Sequence, residues 1–111
     1  MTINSRQKGN SFERNIATVF REVGWPKAKR HLEFQTEEAD LGVDLDNTEP
    51  FGVQCKAYKK YFSMDKVYAA LKKVKRGKPL LITKTNLKEP LCTMYLRDFL
   101  SIVDTPGDST P

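Results

Sequence analysis

The apolar positions of this chain recur with two rhythms, one near 3.6 residues and one of two, and the switches between them predict the order of elements. Phe12, Ile16, Val19, Phe20 and Val23 fall at helical spacing behind Asn10 or Ser11, either of which can cap a helix, and Gly24 and Pro26 end it. Next, AKRHLEFQ (28–35) alternates imperfectly and predicts a strand. LGVDLD (41–46) sets Leu41, Val43 and Leu45 against Gly42, Asp44 and Asp46. DNTEP supplies a turn, and FGVQCKAY (51–58) returns as the second arm of a hairpin. Ser63 caps a second helix with Met64, Val67, Leu71 and Val74 on its apolar stripe, closing at Gly77. PLLITKT (79–85) is the continuous apolar run of a central strand covered on both faces. LCTMYL (91–96) predicts a further strand and RDFLSIV (97–103) a short final helix. The order α-β-β-β-α-β-β-α predicts an α/β fold, a mixed central sheet with a helix on each face.

Residues 1–9 are expected to form a basic arm and 104–111 a frayed tail, leaving a folded part of about 10–103. At 111 residues, 39% hydrophobic and 30% charged, the chain is expected to be a single soluble domain. It has neither an apolar run long enough to span a bilayer nor an apolar segment behind its basic N-terminus, so the expected location is the cytoplasm. Cys55 and Cys92 each sit in a strand-like segment and are expected to be reduced core cysteines. With one histidine and no C-x-x-C pair, a structural zinc site lacks ligands.

Charge adds a sharper clue. The net charge is +5, yet Glu33, Glu37, Glu38, Asp40, Asp44, Asp46 and Glu49 occupy a window without any Lys or Arg. An acidic patch flanked by basic residues fits a cation site within an anion-binding surface. Within FGVQCKAY the pleat sends Phe51, Val53, Cys55 and Ala57 to one face, and Gly52, Gln54, Lys56 and Tyr58 to the other. Gln54 and Lys56 therefore project together, about 7 Å apart. Phosphodiester hydrolysis needs a divalent metal and a nearby cation or acid; carboxylate and amide oxygens can hold Mg²⁺, and a lysine can steer water. The hairpin partner supplies the carboxylate: Asp44 if Thr48, Glu49 and Pro50 form the turn, Asp40 if the hairpin is longer. Periodicity leaves both open.

Asp44 followed by Pro50-Phe51-Gly52-Val53-Gln54-Cys55-Lys56 resembles the D…(E/Q)-x-K signature of the PD-(D/E)XK nuclease superfamily, and Gly9-Asn10-Ser11-Phe12-Glu13-Arg14 is similar to the start of archaeal-type and phage Holliday-junction resolvases. The resemblance covers nearly all of 9–103 and implies a restriction-endonuclease-like core. It implies a metal-dependent endonuclease acting on branched DNA as a two-fold homodimer, with Mg²⁺, or Mn²⁺ in its place, held by Glu13, Asp44, Gln54 and the Cys55 carbonyl, and with Lys56 orienting water. Two positions depart from the pattern: Gln54 stands where glutamate is usual, and Val43 rather than proline precedes Asp44. Lys8, Arg14, Lys29, Arg30, His31, Lys59 and Lys60 are the expected DNA-backbone contacts. The other readings are a non-catalytic DNA-binding module of the same fold, and a restriction-like or single-strand nuclease. Tyr61, Phe62, Met64, Tyr68 and Met94 are the candidates for the dimer interface.

Overall fold

The computed structural model describes residues 5–32, 41–58 and 62–103, with side chains from residue 11 onward. Its elements are α1 (Ser5–Val23), β1 (Lys29–Arg30), β2 (Leu45–Asp46), β3 (Phe51–Tyr58), α2 (Met64–Lys73), β4 (Lys78–Thr85), β5 (Leu91–Thr93) and α3 (Leu96–Ile102). The order is the one the apolar pattern predicts, but several boundaries move: α2 ends at Lys73 before Gly77, and β5 stops at Thr93. Helix α1 begins at Ser5 rather than at Asn10 or Ser11, so Gly9 and Asn10 are helical. Single weak helix formers inside an otherwise favourable run lower helix stability without ending the helix. Among the described residues, the segments AKRHLEFQ and LGVDLD contribute two residues each to regular pairing, in a small antiparallel ribbon where Lys29 faces Asp46 and Arg30 faces Leu45.

The main sheet has the order β3-β4-β5. Strand β4 runs parallel to β3 through the α2 crossover and antiparallel to β5. Partners across parallel strands share a face, so Val53 with Leu80 and Cys55 with Ile82 point one way, and Gln54 with Leu81 the other. Phe12, Ile16 and Ala17 of α1 pack on the first set, with Leu45 closing the cluster. Val67, Ala70 and Leu71 of α2 pack on Leu81. Both faces of β3 are therefore covered, and the side expected to be an open polar face lies under α2.

The helical stripes rotate accordingly. Val19 and Val23 of α1 and Met64 of α2 are exposed, whereas Ala17 and Ala70, which apolar spacing had passed over, are buried. Of the proposed interface residues, Met64 and Tyr68 are exposed, Phe62 and Met94 pack against the two clusters, and Tyr61 lies outside the described residues. Cys55 is buried as expected; Cys92 is exposed, because β5 is an edge strand.

Two glycines set how closely the α2–β4 connection approaches the site. A Cβ on Gly52 would lie 2.0 Å from the Arg76 carbonyl oxygen, and one on Gly42, whose φ is +73°, would lie 2.0 Å from that of Lys73. The far end of the hairpin is tied to α1 by Trp25. Its ring packs against Phe20 and Phe51 at centroid distances of 5.0 and 6.0 Å, and its Nε1 donates to the Glu49 carbonyl at 2.7 Å. Trp25→Phe keeps an aromatic ring and removes the donor. A loss of about 1 kcal/mol is expected, read as a lower midpoint in urea with unchanged m-value.

Candidate active site

The site is built where β2 and β3 part company. Asp44 N–H donates to the Val53 carbonyl at 2.7 Å, as a strand partner would. One step along β3, however, the Cys55 N–H finds no backbone carbonyl; it donates to the Asp44 carboxylate, at 2.8 Å to Oδ2. Asp44 thus lies alongside Val53–Cys55, the placement expected for the shorter turn, and that turn is seen in the Phe51 N–H donating to the Thr48 carbonyl at 2.8 Å. Asp40 lies outside the described residues. In an extended strand the N–H and C=O of one residue face the same edge, so the Cys55 carbonyl faces the edge that Asp44 occupies.

Helix α1 brings Glu13 to this edge. Its neighbours Phe12 and Ile16 anchor in the core, which leaves Glu13 half-buried at the border of the apolar stripe. Because α1 starts at Ser5, Glu13 is well inside the helix and not in its first turn, so the macrodipole is not what favours an acid there. Arg30 Nε donates to Glu13 Oε1 at 3.3 Å. Burial pushes the Glu13 carboxyl above the ordinary carboxylate range, and the Asp44 charge adds to this; Arg30 and Lys56 oppose it. The Cys55 thiol is likewise driven far up, by burial first, then by Asp44 and Glu13. A thiol so poor at ionising is no nucleophile. Glu13, Asp44 and Lys56 thus act electrostatically on one locus, the Cys55 segment of β3.

Gln54 is the unexpected member. It is only 5% exposed. Its Nε2 donates to the Gly42 carbonyl at 2.8 Å, while its Oε1 is buried with no hydrogen-bond partner. Such an orphaned amide oxygen is rare and calls for a partner. Carboxylate, amide and carbonyl oxygens are hard donors of the kind that suits Mg²⁺, a cation that keeps waters and uses few protein ligands. Among the described residues no three His, Cys, Asp or Glu side chains gather as a metal cluster.

The basic residues divide. Arg14 and Lys29 are exposed, and Arg30 is engaged with Glu13. His31, expected on the phosphate-contacting surface, is instead a packed structural residue. Its side chain is 4% exposed, and its Nδ1 lies 2.9 Å from Asp46 Oδ1. The side chain of Lys8, and Lys59 and Lys60 altogether, lie outside the described residues.

Asp46, which the sequence offered only as one acid among seven, holds this corner together. Besides His31 it accepts from Arg76 Nη2 at 2.6 Å, and the same guanidinium donates to the Leu45 carbonyl at 3.2 Å. The His31 N–H in turn donates to the Asp44 carbonyl at 2.9 Å. Burial alone would raise the Asp46 carboxyl, but hydrogen bonds from Arg76 and His31 outweigh it and hold the group below its usual 3.8. A depressed folded-state pKa contributes stability that is present above the unfolded value and is lost as pH falls through the folded one. Asp46→Asn is therefore expected to cost about 1–3 kcal/mol at neutral pH. That cost should shrink below about pH 4, as urea denaturation at stepped pH would record.

A family model described as restriction endonuclease, Mrr_cat, matches residues 5–90, from the start of α1 to the end of the β4–β5 loop. The chain belongs to the Mrr_cat restriction endonuclease family. Membership places it in the PD-(D/E)XK superfamily and makes it a nuclease of restriction-endonuclease type, with DNA as its substrate. Neither a curated protein nor a solved structure matches the chain. The Mrr_cat match spans the elements that carry Glu13, Asp44, Gln54 and Lys56. Among the described residues no helix is long and apolar enough to cross a membrane.

Proposed function

We propose that this Mrr_cat domain is a Mg²⁺-dependent, structure-selective DNA endonuclease that resolves four-way junctions by phosphodiester hydrolysis, with Mn²⁺ able to replace Mg²⁺. The observation that carries the reading is the Asp44 carboxylate from the β2 approach capping the Cys55 N–H of β3, with Glu13 of α1 and Lys56 of β3 close enough to act on the same segment electrostatically. Asp44 and Glu13 would hold the metal, joined by the unpartnered Gln54 Oε1 and the Cys55 carbonyl. The metal, when bound, supplies charge neutralisation at the phosphate and a more acidic water. Lys56 orients the attacking water, and Arg30 holds the Glu13 carboxylate in place. Arg14 and Lys29, both exposed, meet the DNA backbone.

Preference for a four-way junction is supported by the Gly9–Arg14 segment and by the basic surroundings of an acidic centre. Cutting two strands of a symmetric junction takes two active sites, hence a two-fold homodimer working in the cytoplasm. Competition between a labelled junction, linear duplex and single strands tests the preference. The junction should bind most tightly, and equal affinity for all three would leave only a general nuclease. A second reading, a binding module without catalysis, draws on one observation: the Gln54 amide nitrogen is committed to Gly42 and the side chain carries no charge. Junction binding with no cleavage in Mg²⁺ or Mn²⁺ would favour it.

A further inference from the structure

On the α2 side of β3 the strand pleat places Lys56 and Tyr58 on the same face as Gln54, and α2 lays Lys66, Ala69, Ala70 and Lys73 across them. With Phe62 these residues line a cavity of about 140 Å³. Among the described residues three lysines line it and no carboxylate does. The ion pairs among the described residues engage Arg30, His31, Arg76 and Arg97, and none of these three lysines. Like charges gathered round a small cavity repel, so the arrangement gains by admitting an anion.

The cleft is also shaped for a chain of phosphates. Lys66 Nζ sits 5.7 Å from the Tyr58 ring centroid, and that ring packs on Phe62 at 4.5 Å, which gives the ammonium a fixed station. Lys73 follows two helical turns later, about 10 Å along the axis. Between them Ala69 and Ala70 keep the helix surface low, so a DNA backbone can lie close against it. Lys56 forms the boundary shared with the proposed catalytic centre.

We infer that the cavity between Lys56, Lys66 and Lys73 holds the DNA backbone phosphate next to the one served by Lys56, with Lys66 and Lys73 as positioning residues on α2. This rests on the nuclease reading above and extends it to a strand path over α2.

Fluorescence anisotropy of a labelled four-way junction in EDTA separates binding from cutting. Wild type, Lys66→Ala, Lys73→Ala and, from the turn after β4, Lys88→Ala would be compared across a salt series. Both α2 positions are exposed and alanine favours helix, so the variants should fold, as circular dichroism would verify. Each α2 variant is expected to bind roughly tenfold more weakly at low salt and to lower the slope of log K against log salt by about 0.9. Lys88→Ala should change neither. In Mg²⁺ the same two variants should raise KM with little change in kcat. If both α2 variants match wild type in affinity and slope while wild type binds and cuts, the phosphate path is wrong and the nuclease reading stands. If the slope falls as expected but wild type never cuts, the phosphate path stands and the nuclease reading fails.

Discussion

Asp44→Asn is expected to lower the rate of DNA cleavage at least about a hundredfold, while leaving the fold and DNA binding in place. The asparagine side chain keeps an oxygen that can accept from the Cys55 N–H, so the edge of β3 stays capped. What it removes is the negative charge beside Glu13. Since Asp44 is one of the two influences that raise the Glu13 carboxyl, the variant should also bring that group back toward the ordinary carboxylate range. Single-turnover cleavage at saturating protein reports the first effect, and thermal denaturation confirms that folding is intact. Cleavage within a few fold of wild type would remove Asp44 from the chemistry.

Gln54→Glu, which restores the residue usual in the superfamily, is expected to weaken the fold by about 3 kcal/mol at neutral pH rather than improve the enzyme. The amide now donates to the Gly42 carbonyl, and an ionised carboxylate has no hydrogen to give. At 5% exposure it would also bury a negative charge with no cation hydrogen-bonded to it. Such a group has a folded-state pKa above its unfolded value near 4.3. The destabilisation should therefore be full well above that pKa and fade as the pH falls toward about 4, where the protonated acid can again donate. Mg²⁺ or Mn²⁺ should recover more stability in this variant than in wild type, because metal bound only to the folded state stabilises it by mass action. Thermal melts over pH, with and without metal, measure all three. A Gln54→Glu protein as stable as wild type at pH 7 without metal would mean that the donor to Gly42 is dispensable.

The order of elements was legible in the sequence because each follows from a short period or a turn, and so was the shared face of Gln54 and Lys56 on β3, whereas the choice between Asp40 and Asp44 was not. Apolar alternation gave β3 its register, and the brief turn around Thr48–Pro50 set Asp44 against it. Tertiary pairing was not legible. Nothing local says that Arg30 will turn inward to Glu13, or that His31 and Arg76 will each pair with Asp46, since these partners lie 15 to 30 residues away. Asp46 shares the parity of Asp44 in LGVDLD, a signal that was present but could not be told from a solvated acid. Nor does alternation reveal that the polar side of β3 is covered. Gln54 is buried because α2 crosses over to β4 on that face, a consequence of the parallel pairing. The shift in the start of α1 has a simpler cause: Gly9 and Asn10 weaken a helix less than the neighbouring residues sustain it.

Cleavage of an end-labelled four-way junction by the wild-type protein, with Mg²⁺ and with EDTA side by side, tests the central claim most directly. The expected result is a pair of symmetric nicks in Mg²⁺ and none in EDTA. An intact junction in Mg²⁺ and in Mn²⁺, from protein that binds it, would contradict the claim.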